Sequence, residues 1–153
     1  MSTLALAIEL AAKTYGDALG KDGVPAIFHP LRVMMAEYEA EGDEHRIVGV
    51  LHDLLEDWPG WTLEGLRDRG FAPHILDAID AITRRKDEVY MDYIRRCGAN
   101  EIARMVKLAD LRDNMDRCST MRPEHVSLFA RYAKARNYLE ALYMAELGVD
   151  AAT

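Results

Sequence analysis

At 153 residues the chain is long enough for one domain with a single sizeable core. Half of its residues are hydrophobic and 29% are charged, a globular profile that excludes a disordered polymer. A formal net charge of −7 excludes a general nucleic-acid-binding surface, so a polyanionic ligand would need a local basic patch and a metal ion.

The start, Met1 to Lys13, lacks a basic opening and is interrupted by Glu9, so it reads as an amphipathic helix rather than a signal peptide. No run approaches the ~18 apolar residues of a membrane span. The two cysteines, Cys97 and Cys118, lack metal-ligand or redox spacing, and reduced thiols in a cytoplasmic protein are expected. Neither a nucleic-acid nor a membrane partner is expected, and homo-oligomerisation is left open.

Helical periodicity dominates throughout, with no sustained alternation of a strand type. A first helix is predicted over residues 3–19, closed by Gly20, Lys21, Asp22 and Gly23. Val24 to Phe28 reads as an extended entry to a second helix, with Pro30 in its first turn. Gly42 breaks that helix, and Asp43 caps a third that runs through Leu55. Trp58, Pro59 and Gly60 stop it, and the two tryptophans there, Trp58 and Trp61, are expected to pack over its end.

A short helix opens at Thr62 and ends near Gly70, and Phe71 to Pro73 lead into another. Segments 87–96 and 100–115 follow, separated by Gly98, and Pro123 begins a last helix that ends at Gly148. Without a linker or repeat, the expectation is an all-α single domain of about seven to nine helices, spanning residues 1–148 with a tail over 149–153.

His52 and Asp53 stand in the apolar run from Val48 to Leu55, where an uncompensated charged pair would be costly. Glu56 and Asp57 lie three and four residues beyond Asp53, so the three carboxylates share a helix face. Such acids at a helix C-terminus oppose its dipole, and a bound cation reverses that penalty. Downstream, Lys107, Asp110 and Asn114 form one stripe at spacings of three and four. A salt bridge alone would also explain Lys107 with Asp110.

His29 precedes Pro30, which biases its backbone away from helix and sets it at a helix entrance. His45, His74 and His125 have no neighbours at ligand spacing and read as surface residues. Together, His29, His52, Asp53 and Asp110 can close around one divalent ion, with Glu56 and Asp57 as spare acids. That combination is suited to activating water against a phosphate ester or anhydride.

The ordered motifs His29-Pro30, Leu51 to Asp57 (LHDLLED) and Val106 to Asp116 (VKLADLRDNMD) resemble the HD-domain hydrolases of the Rel/SpoT type. The likeness is greatest to the small stand-alone alarmone hydrolases and runs from about Leu6 to Met144. The resemblance implies an HD-domain helical fold holding one Mn²⁺ through His29, His52, Asp53 and Asp110. It implies that Glu56 and Asp57 position and activate the attacking water, and that Asn114 helps hold the nucleoside. It places Lys21 near the substrate phosphates and Arg131 with Tyr132 near the substrate.

The implied reaction removes the 3′-diphosphate of guanosine tetra- or pentaphosphate, giving GDP or GTP and pyrophosphate. Lys21, Lys107 and Arg84 or Arg85 are then expected to neutralise charge on the departing pyrophosphate. No synthetase segment accompanies these motifs, so degradation alone is expected. Two positions depart from the family pattern: Gly20 stands where it has an arginine, and Ala26 where it has a tyrosine. The base-binding wall is therefore altered. An adenine alarmone, a dNTP or a phosphorylated dinucleotide is the alternative substrate, and a non-catalytic nucleotide-binding module is the alternative class.

Overall fold

The computed structural model describes residues 3–20, 23–36, 42–118 and 126–149. Among them are nine helices and no strand: α1 Leu4–Tyr15, α2 Phe28–Ala36, α3 Glu44–Leu51, α4 Leu54–Asp57 and α5 Leu63–Asp68, then α6 Pro73–Ile82, α7 Tyr90–Gly98, α8 Glu101–Cys118 and α9 Val126–Glu146. The all-α expectation holds. Lys21, Pro123, His125 and residues 150–153 lie outside the described residues.

Local chemistry explains most helix starts. The Thr3 hydroxyl accepts the Leu6 amide at 3.2 Å, and the Thr62 hydroxyl accepts that of Gly65 at 3.0 Å. The Asn100 side-chain oxygen receives the Ala103 amide at 2.9 Å. Pro73 occupies the first turn of α6, where a missing N–H is harmless. Asp43 departs from its expected capping role: its carboxylate makes no cap bond and instead pairs with Arg46 at 3.3 Å.

Three boundaries differ from the sequence-based expectation. The first helix ends at Tyr15, because Gly16 turns the backbone to φ 47°. Gly98 closes α7 rather than separating two segments, and the break falls at Ala99 and Asn100. The expected continuous third helix is interrupted at His52 and Asp53, and α4 resumes at Leu54.

Helix α3 is central, packing against α1, α2, α6 and α8, while α8 also contacts α7 and α9. Val48, Val50, Leu51, Leu54, Ile79, Ile94, Leu111 and Leu139 are fully buried along these contacts. Gly49 allows α2 and α3 to approach closely. A Cβ added there would meet the Met34 backbone, at 3.1 Å from Cα and 3.3 Å from N. That approach brings the helix carrying His29 against the helix leading to His52.

Trp58 and Trp61, expected over the end of the third helix, both make contacts with α1. Trp58 meets Tyr15 edge-to-face with ring centroids 5.4 Å apart, and the Trp61 indole donates to the Thr14 hydroxyl at 2.9 Å. Arg96 fastens α7 to the end of α6, donating to the carbonyls of Asp80 and Thr83, both at 2.9 Å. Its guanidinium also grips both Glu88 oxygens, at 2.9 and 2.8 Å. The Cys97 thiol is free and buried.

Candidate active site

Four potential ligand atoms converge where α2, the α3–α4 junction and α8 meet. His29 Nε2 lies 3.2 Å from His52 Nε2, 3.4 Å from Asp53 Oδ2 and 3.0 Å from Asp110 Oδ1. His52 Nε2 is in turn 3.2 Å from Asp53 Oδ2 and 3.5 Å from Asp110 Oδ1. Donors about 2.1–2.2 Å from a shared ion at angles of 90–110° stand roughly 3.0–3.5 Å apart. The observed separations fall in that range.

Interruption of α3 makes the convergence possible. Consecutive residues of a continuous helix diverge by about 100°. Here the helix gives way to a turn, with Asp53 at φ −95° and ψ −1°. His29 also differs from expectation, since it lies within α2 despite preceding a proline. The helix begins only one residue earlier, at Phe28, so Pro30 still falls in the first turn.

Both imidazoles are oriented by their other nitrogen. His52 Nδ1 lies 2.7 Å from the Gly49 carbonyl oxygen, which can only accept, so the proton belongs on Nδ1. His29 Nδ1 likewise donates to Asp113 Oδ2 at 2.7 Å. Asp113 is braced by Arg32, whose Nε and terminal nitrogen reach it at 2.5 and 3.0 Å. In neutral imidazoles these bonds direct both Nε2 lone pairs into the site, where they repel unless a cation lies between them.

The surrounding field favours that cation. Burial opposes charge on His29, but Asp110, Asp113 and Asp53 outweigh it and push its pKa up to about 11. Burial likewise opposes charge on His52, whose pKa is raised to about 9 by Asp53 and Asp110. The carboxyl of Asp110 is held well below the usual range: burial works against this, and Lys107 with the two histidines prevails. A divalent ion would replace the imidazole protons in the same field. The donor set of imidazole nitrogen and carboxylate oxygen fits a first-row divalent metal.

Lys107 and Asn114 both engage Asp110. Lys107 Nζ lies 2.6 Å from Oδ2, and the Asn114 amide donates to Oδ1 at 2.6 Å. Glu56 and Asp57 lie exposed on α4 beyond Asp53, and Glu56 Oε2 accepts the Arg84 amide at 3.3 Å. Burial, followed by the charges of Asp53 and Glu56, raises the pKa of Asp57. Arg84, Arg131 and Tyr132 are brought together around Tyr90, whose ring has guanidiniums of Arg84 and Arg131 at 5.5 and 4.5 Å. Arg85 instead pairs with Asp80 at 3.3 Å.

Among the described residues, the other two histidines, His45 and His74, are not among the side chains that converge here. His74 is exposed but lies 4.0 Å from Glu44, so it has a charged neighbour the sequence did not indicate. His45 is only partly exposed, and its Nδ1 is buried without a hydrogen-bond partner. Sequence reasoning missed Asp113, Arg32, the Gly49 carbonyl and Tyr90 as parts of the site. Asp113 did carry a signal, three residues after Asp110 on the same helix.

The geometry defines an all-helical domain with a candidate divalent-metal centre, and a solved structure shares the fold. A metazoan ortholog of SpoT that hydrolyzes ppGpp superposes with a TM-score of 0.73 over 95% of this chain and 96% of that one, at 17% identity. A guanosine-3′,5′-bis(diphosphate) 3′-pyrophosphohydrolase of Spiroplasma citri is 28% identical over 138 residues, covering 82% of this chain. A probable GTP pyrophosphokinase of Mycobacterium leprae (strain TN) is 28% identical over 152 residues, covering 93% of it. The chain spans 18% of the length of each of these curated relatives. No family model matches. Among the described residues no helix is long and apolar enough to cross a membrane.

Proposed function

We propose that the chain is a cytoplasmic, Mn²⁺-dependent pyrophosphohydrolase that removes the 3′-diphosphate of guanosine tetra- or pentaphosphate, leaving GDP or GTP and pyrophosphate. The carrying observation is that His29 Nε2 and His52 Nε2 lie 3.2 Å apart and each lies within 3.0–3.5 Å of both Asp53 and Asp110, with spare carboxylates on the adjoining helix. The names of the Spiroplasma citri relative and the metazoan structural neighbour support the same reaction.

His29, His52, Asp53 and Asp110 would hold the ion. When bound, it supplies Lewis acidity that acidifies water and draws charge from a phosphoryl oxygen. Glu56, steadied by the Arg84 amide, orients the attacking water, and Glu56 or Asp57 takes its proton. Water oxygen bonds to phosphorus as the bond from phosphorus to the ribose 3′-oxygen breaks, and that oxygen takes up the proton held by Glu56 or Asp57. Lys107, Arg84 and Arg131 neutralise the departing pyrophosphate. Asn114 and Lys107 also fix the orientation of Asp110 through their bonds to it. In this reading Lys21 contributes a further cation toward the phosphates, and Tyr132 stands beside Arg131 at the substrate.

A panel of nucleotides incubated with the Mn²⁺-loaded protein tests the reading. Pyrophosphate released from a 3′-diphosphorylated guanosine nucleotide supports it. Release of orthophosphate or triphosphate, or turnover confined to an adenine or deoxynucleotide substrate, would assign the site to a different nucleotide hydrolase. Tight binding with no product over hours would make the domain a binding module.

A further inference from the structure

We propose that Tyr90 is a substrate-contacting residue whose hydroxyl hydrogen-bonds the departing diphosphate once Arg131 has moved off its ring. The inference rests on the pyrophosphohydrolase reading above and adds to it a residue that recognises the diphosphate transferred to water.

Tyr90 begins α7 and is half-buried beside the metal centre, with Lys107, Arg131, Asp110 and Tyr132 in its electrostatic surroundings. Its hydroxyl oxygen is buried and has no hydrogen-bond partner. A phenylalanine would fill the same space without leaving a polar atom unsatisfied, so the hydroxyl has a cost and no structural return. Tyr93, its neighbour with ring centroids 6.0 Å apart, provides the contrast: its hydroxyl donates to the Ile82 carbonyl at 2.6 Å.

Two guanidiniums lie over this hydroxyl-bearing ring, and a third cation, Lys107, adds to the positive field at it. Arg131 and Arg84 lie over it at 4.5 and 5.5 Å, and Lys107 Nζ is 5.3 Å from the adjoining Tyr93 ring. Arg84 is anchored by the Glu88 carbonyl, at 2.8 and 3.3 Å from two of its nitrogens, and Lys107 by Asp110. Arg131 is held differently. Among the described residues it rests on the faces of Tyr90 and Tyr132, the latter at 5.6 Å. An exposed arginine resting on rings exchanges those modest contacts readily for charge-assisted bonds to phosphate. Its departure uncovers the Tyr90 hydroxyl among fixed positive charges, where a phosphate oxygen supplies the missing acceptor.

The test compares wild type, Tyr90→Phe and Tyr90→Leu in Mn²⁺-loaded protein, reading kcat and KM on guanosine 3′-diphosphate nucleotides and the binding of inorganic pyrophosphate by calorimetry. Tyr90→Phe keeps the ring and the arginine contacts, so its Mn²⁺ stoichiometry should match wild type and its thermal unfolding should fall at the same or a higher temperature. Loss of a hydrogen bond to a charged oxygen should weaken pyrophosphate binding and raise KM by about tenfold to a hundredfold, with kcat nearly unchanged. Tyr90→Leu should show the same loss. Equal pyrophosphate affinity and equal KM in wild type and Tyr90→Phe would overturn the inference. If wild type turns over no guanosine nucleotide, the reaction assigned above fails, while the pyrophosphate titration still decides Tyr90.

Discussion

Asp113 holds His29 by its Nδ1 at 2.7 Å, so a residue outside the four proposed ligands fixes the direction of one of them. The carboxylate is itself fixed by Arg32 and held well below its usual pKa: burial works against this, and the bonds to His29 and Arg32 outweigh it. Replacing Asp113 with alanine frees the ring and reduces the basicity of Nε2. Mn²⁺ affinity, measured by titration, should fall about 10–100-fold while the fold is retained. Unchanged affinity would show that His29 is oriented by other means.

Glu56 and Asp53 should separate chemistry from metal retention. Glu56→Ala is expected to lower kcat by roughly 10²-fold or more, with one Mn²⁺ still bound per chain. Asp53→Ala should lose both turnover and metal. Both variants should remain helical by circular dichroism, because each removes one carboxylate from a crowded acidic cluster. Full activity of either variant in excess Mn²⁺ would contradict the assigned roles.

Gly49→Ala tests the close approach of α2 and α3. The added methyl would press on Met34 Cα and N at 3.1 and 3.3 Å, and backbone atoms cannot turn aside as a side chain can. Overpacking of this kind should cost about 1–3 kcal/mol in denaturant unfolding. A second replacement, Met34→Ala, should not restore the loss, since the obstructing atoms belong to the backbone. Recovery in the double variant would place the clash elsewhere.

The Arg96–Glu88 pair predicts a pH dependence of stability away from the metal. The Arg96 hydrogen bonds lower the Glu88 pKa from 4.5 to about 2. The stabilisation is therefore fully present above about pH 4.5, where the unfolded chain is also ionised, and fades as pH falls toward about 2. Glu88→Gln should be less stable near neutrality and should flatten this part of the stability curve. A wild-type and variant difference that stays constant from pH 6 to pH 2 would rule out the linkage.

The sequence made the helical architecture visible because capping residues and apolar periodicity act locally. Thr62, Pro73 and Gly148 mark their boundaries through chemistry within a few residues. His52 and Asp53 show the limit of that logic. Periodicity carried a helix straight through them, whereas the chain there turns so that two successive side chains reach one point. Spacing placed Lys107 and Asn114 beside Asp110, but only the folded geometry shows each bonded to a different oxygen of it. Tyr90 carried no signal of its own at the level of spacing. Its unsatisfied hydroxyl and the arginines over its ring depend on α7, α9 and the segment before α7 meeting in space.

Anomalous diffraction from crystals grown with Mn²⁺ tests the metal centre most directly. The account predicts one strong peak bonded to His29 Nε2, His52 Nε2, Asp53 and Asp110 at about 2.0–2.3 Å. A peak coordinated elsewhere, or none between these side chains at saturating Mn²⁺, would contradict it.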